Sequence, residues 1–157
     1  MITIYGCFEG LGFEFTEFLL NEDEEVFGYD RLDEKKQFKF ELIGRNAKFN
    51  FVDEEEQLPN NDFAYVFNKD LPLSNKGTHK FVVICDAVKG EKTRDETLID
   101  IKNIKLGDET DTSDRKNDII TKQHFFKWLV ELRKYSLLPQ ELVLNGEGED
   151  GVFLLKC

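Results

Sequence analysis

The spacing of apolar and polar positions changes period twice within the first thirty residues. Met1-Ile2-Thr3-Ile4-Tyr5 is a short, β-branched apolar run, the pattern of a strand. Leu11, Phe15, Phe18 and Leu19 then fall at i, i+4, i+7 and i+8 with Glu14 and Glu17 off that face, which predicts an amphipathic helix over 11–20. Asn21 to Glu25 is a polar turn, and Val26-Phe27-Gly28-Tyr29 predicts a second strand closing on Asp30. Phe38, Phe40 and Leu42 alternate with Lys39 and Glu41, so 38–52 reads as a β-hairpin, or as an inserted strand before the third strand of a parallel sheet. Asp62-Phe63-Ala64-Tyr65-Val66-Phe67 and Lys80-Phe81-Val82-Val83-Ile84-Cys85 are near-continuous apolar runs suited to buried parallel strands. The segment from Lys89 to Asn117 is polar; it predicts a short strand at 98–106 and a mobile excursion near 107–117. Helical spacing returns from Asp118 to Tyr135, where Phe125, Trp128, Leu129, Leu132 and Tyr135 share a face. Glu141-Leu142-Val143-Leu144 and Val152-Phe153-Leu154-Leu155 predict the last two strands, paired as an antiparallel edge.

Gly6, Gly10 and Gly12 lie where the chain must turn from the first strand into the first helix. A βαβ unit of this kind binds a dinucleotide by placing the pyrophosphate at the helix N-terminus, with an acidic residue at the tip of the second strand on the adenosine ribose. The stretch resembles the N-terminus of the extended short-chain dehydrogenase/reductases, the NAD-dependent epimerase/dehydratase family, whose turn reads G-x-x-G-x-x-G. Gly6 and Gly12 match its first and third glycines, Glu9 stands at the second, and Gly10 follows it. The resemblance implies an α/β, Rossmann-like three-layer domain over 1–157 with a mainly parallel sheet. It also implies that Gly6, Glu9, Gly10, Gly12 and Asp30 surround NAD or NADP, with Asn68 near the nicotinamide ribose. The family's Y-x-x-x-K motif aligns with Asp118-Ile119-Ile120-Thr121-Lys122, which would make Lys122 the ribose lysine. Asp118 stands at the tyrosine, and a carboxylate beside an ammonium is not a proton donor near neutral pH. Cys85-Asp86 carries no hydroxyl where active members orient the substrate. Glu9 brings a carboxylate to the phosphate site and so disfavours NAD or NADP.

Composition narrows the reading. At 157 residues the chain is expected to form one domain, with room for little beyond a nucleotide-binding half. A net charge of −11 and a pI of 4.7 disfavour nucleic acid, whose binding depends on clustered Lys and Arg, and suit a protein partner. No apolar run of membrane-spanning length and no basic-then-apolar leader is present, so no membrane is expected and a cytoplasmic location is the default. Cys7, Cys85 and Cys157 are scattered, and His79 and His124 have no Ser–Asp or Cys constellation beside them; neither a disulfide framework nor a metal site is expected. Asp53-Glu54-Glu55-Glu56 reads as a solvated loop. Three functions stay open: a catalytically inactive family relative acting as a sensor or protein-interaction module, an NAD(P)-dependent oxidoreductase or epimerase with non-standard site residues, and an acidic binding protein that uses the fold as a scaffold.

Overall fold

The computed structural model describes residues 1–60, 63–68, 70–73, 81–85, 96–100, 105–107, 119–135 and 141–143. The chain divides into two compact units, Met1–Val83 and Ile84–Cys157. In the first, β1 (Ile2–Tyr5), α1 (Gly10–Asn21), β2 (Val26–Tyr29), α2 (Glu34–Ile43) and β3 (Phe49–Val52) follow in order. β4 (Ala64–Val66) and β5 (Phe81–Cys85) come after a 3-10 turn at Glu55–Gln57. The strands lie in the order β3-β2-β1-β4-β5 and all pair in parallel, with Ile4 opposite both Gly28 and Tyr65, and Gly28 opposite Phe51. This parallel α/β sheet is compatible with a Rossmann-like fold. Its strand order reverses between β1 and β4, the place where open α/β sheets form a ligand crevice.

Alternation along the strands decides what each face meets. Ile4, Gly28, Phe51 and Tyr65 form one row across the sheet. On that row α1 sets Phe15 edge-on to Tyr65 at 4.9 Å between ring centroids, and α2 sets Phe40 against Phe51 at 5.3 Å. Both helices therefore cover the same face. Phe8, from the turn after β1, packs among Phe40, Phe49 and Phe51 and is fully buried. The opposite row runs through Val52, Tyr29, Tyr5 and Val66, all buried. There Tyr5 and Tyr29 meet edge to face at 5.6 Å, and the Tyr5 hydroxyl donates to Glu55 Oε1 at 3.0 Å.

Three local expectations are corrected. The inward side of α1 is rotated from the anticipated stripe: Phe15 and Leu19 are buried, Leu11 and Phe18 only half-buried, and Phe13, Thr16 and Leu20 are buried instead. Phe18 still stacks on Phe15, at 6.3 Å. Residues 34–43 form a helix rather than an extended strand. The Asp33 side chain accepts from the Lys36 N–H at 2.9 Å as an N-cap, and the Glu-Lys-Lys-Gln run behind it consists of good helix formers. The apparent period of two misled because Phe38 and Leu42 are 66% and 55% exposed; they do not mark an inward face. Finally, 119–121 is a strand, so the anticipated 118–135 helix begins only at Lys122.

In the second unit, β6 (Glu96–Asp100) pairs in parallel with β9 (Glu141–Val143). β7 (Lys105–Gly107) pairs in parallel with β8 (Ile119–Thr121), which leads into α3 (Lys122–Glu131) and a 3-10 turn at Leu132–Lys134. The β-branched triplet Ile119-Ile120-Thr121 suits an extended chain better than a helix start. Thr121 then caps α3 by accepting from the His124 N–H. Phe125, Phe126, Leu129 and Leu132 are buried, whereas Tyr135, placed on the inward face by its spacing, is 56% exposed. The described strand pairings are all parallel. Val152–Leu155, to which the antiparallel edge was assigned, and the excursion from 108 to 117 lie outside the described residues.

Candidate nucleotide-binding crevice

The C-terminal ends of β1, β2 and β4 bring six of the seven sequence-selected residues to one place. Gly6 follows β1 with φ +81°, a left-handed conformation that favours glycine. A Cβ there would stand 2.9 Å from both the backbone N and the Cβ of Asn68, so the chain segments leaving β1 and β4 are in close contact. Gly12 sits in the first turn of α1, where a Cβ would meet the Gly6 carbonyl oxygen at 2.2 Å. This is the close helix-to-turn approach that a dinucleotide fold requires. Gly10 is exposed, with open space where a side chain would project.

Charge fills the crevice. Asp30, at the tip of β2, is 1% exposed. Its Oδ2 accepts from the Phe8 N–H at 2.9 Å, and its Oδ1 accepts from the Arg31 N–H at 2.8 Å and from Lys36 Nζ at 2.7 Å. Lys36 reaches in from α2 and donates as well to Glu9 Oε1, at 2.5 Å. The same Glu9 oxygen accepts from Asn68 Nδ2 at 3.0 Å. Glu9 is the N-cap residue of α1, yet its side chain makes no capping hydrogen bond; its carboxylate turns to Lys36 and Asn68 rather than to the free N–H groups of the helix. Lys39, one turn further along α2, donates to the Phe8 carbonyl at 2.8 Å and lies 5.1 Å from the centroid of the Phe13 ring.

These contacts set the proton affinities. Burial pulls the Lys36 ammonium down, but hydrogen bonds and charge from Asp30 and Glu9 outweigh it and leave the group above its ordinary value. Burial, with the Asp30 charge second, pushes the Cys7 thiol well up, so Cys7 is an inert core residue rather than a nucleophile. Burial and then the Glu55 charge raise Tyr5, and the same two causes raise Tyr29.

Sequence reasoning missed Lys36, the residue that joins the cluster. The signal was available: Asp33 as an N-cap makes Lys36 the third residue of a helix beginning four positions after Asp30, and so places it beside the first turn. Lys122 begins α3. The five-residue register that assigned it places Ile119-Ile120-Thr121 in a strand, and an extended segment does not set its ends on one face as a helical turn does. Asp118 lies outside the described residues.

The residues present do not fit a dinucleotide in the way the resemblance implies. A ribose-holding carboxylate must present oxygens to the ligand, whereas the Asp30 side chain is wholly buried with both oxygens already accepting hydrogen bonds from within the protein. No protein-family model matches the chain, and no curated protein matches it. Among the described residues no cluster of His, Cys, Asp or Glu side chains is placed to hold a metal ion, and no helix is long and apolar enough to cross a membrane.

Proposed function

We propose that the chain is a catalytically inactive relative of the NAD-dependent epimerases and dehydratases, acting as a sensor or protein-interaction module with weak or no dinucleotide binding. The observation that carries this reading is the complete burial of the Asp30 side chain, whose oxygens already accept from two backbone N–H groups and Lys36. For a ribose to take Asp30, Lys36 would have to leave a carboxylate whose side chain is wholly buried. Breaking one partner out of a buried pair costs roughly 3–5 kcal/mol, which lowers affinity by about 100-fold or more. Glu9 adds repulsion. A carboxylate about 4 Å from a phosphate charge costs roughly 4 kcal/mol at an effective dielectric near 20, a figure that its pairing with Lys36 reduces without removing. The exposed Phe38 and Leu42, one turn apart on α2, favour contact with another protein over small-molecule chemistry.

Isothermal titration of NAD and NADP at low salt tests the reading. The natural protein should give no micromolar binding. Glu9→Gly removes one carboxylate and frees Lys36 toward a phosphate, so it should bind at least about tenfold tighter. Micromolar binding by the natural protein, with no gain in the variant, overturns the proposal.

A further inference from the structure

α2 is attached in an unusual way. Of its ten residues only Ile43 is buried, while two of its apolar side chains, Phe38 and Leu42, face solvent. Its contacts with the turn after β1 and the first turn of α1 are made largely by cations: Lys36 on Glu9 and Asp30, and Lys39 on the Phe8 carbonyl and the Phe13 ring. Phe40, half-buried against Phe8 and Phe51, and the buried Ile43 are its apolar anchors beside them. α1, by contrast, buries Phe13, Phe15, Leu19 and Leu20. A helix of ten residues is marginal by itself in water. Once undocked, α2 has little reason to stay helical.

We propose that α2 is a charge-latched strap over the turn after β1 and the tip of β2. It stays docked while Glu9 and Asp30 grip Lys36, and it undocks and unravels ahead of the sheet when that grip weakens. The weak arm is Glu9, whose side chain is 37% exposed against 0% for Asp30; solvent and salt reach the first and not the second. Undocking uncovers Asp30 and the turn beneath it, so the docked strap withholds that surface from a ligand or partner. Any ligand or partner that prefers the uncovered surface shifts the population toward it. The strap stands independently of whether that ligand is a dinucleotide, and nucleotide titration cannot decide it.

Site-resolved amide hydrogen exchange of the full chain under native conditions is the test. Amides of Phe38–Ile43 should exchange on the order of 100-fold faster than those of β1 and β2, as a separate opening unit. Glu9→Gln should speed α2 by about tenfold and leave β1 and β2 unchanged, the mark of a local opening. Lys36→Met, which keeps the stem and removes the charge, should do more. Should Lys36→Met fail to fold, the natural protein decides alone: raising salt from about 20 mM to about 0.5 M should speed α2 selectively. Equal protection of α2 and the sheet, or variants and salt that move both in step, would overturn the strap.

Discussion

Replacing Gly12 with alanine isolates the packing of α1 against the turn after β1. By helix propensity alone the change should stabilise, since alanine is favoured over glycine by about 0.8–1 kcal/mol in a helix interior. The tertiary contact reverses that sign. The new Cβ would lie 2.2 Å from the Gly6 carbonyl oxygen and 3.0 Å from Cβ and Cγ of Phe67. A relaxed carbon–oxygen contact is roughly 3.3 Å or more, so α1 and the turn must separate by about that shortfall. Neither side gives cheaply. Gly6 is held at positive φ with its carbonyl accepting from the Glu9 N–H at 3.1 Å, and α1 is anchored by the fully buried Phe15 and Leu19. Overpacking costs typically about 1–3 kcal/mol; with backbone as the obstacle the upper end applies, and the net loss is about 2 kcal/mol. In urea that moves the unfolding midpoint down by roughly 1 M for a slope of about 2 kcal/mol/M. Gly10→Ala on the same helix is the control. With nothing within 4 Å of its Cβ, it should leave the midpoint unchanged or raise it by about 0.4–1 kcal/mol of stability. A Gly12→Ala protein as stable as the natural one would refute the close approach, and with it the placement of the turn.

Two further outcomes follow from burial and charge. Phe15→Ala should cost roughly 3–5 kcal/mol, as a fully buried ring does, and Phe18→Ala only about 1–2 kcal/mol, because that ring is half-exposed; equal losses in urea unfolding would restore the rejected α1 face. Stability should hold through neutral pH and fall from about pH 10 upward, where unfolded Tyr and Lys begin to lose protons that the raised native groups Tyr5 and Lys36 retain. The sign follows from the unfolded chain binding fewer protons than the native one over that range, and Tyr5→Phe should flatten part of the fall. A urea midpoint that stays level between about pH 9 and 11 would contradict both shifts.

Local pattern was sufficient wherever a side chain's direction follows from its own neighbours in the chain. β1, α1, β2, β4 and β5 were legible as elements because the length and period of their apolar runs mark strand and helix, and a strand–turn–helix–strand succession with glycines at the first turn leaves few topologies open. Gly6, Glu9, Gly12 and Asp30 were legible as neighbours for the same reason. α2 was hidden because Phe38 and Leu42 on its exposed side, read together with the inward Phe40, mimic a period of two, while part of its inward contact is made by Lys36 and Lys39, which hydrophobic spacing does not report. The rotation of α1 was equally invisible: which of Leu11, Phe13, Phe15 and Phe18 turns inward depends on where Tyr65 and Phe67 arrive from a strand fifty residues away. The pairing of strands, β3-β2-β1-β4-β5, and the entry of Lys36 between Glu9 and Asp30 were decided only by the tertiary structure. Polar groups separated by 6 to 59 residues become partners only when the fold brings the strand ends and α2 together. The environment that then makes their pairing strong, an Asp30 with no solvent to replace Lys36, exists only in the folded chain.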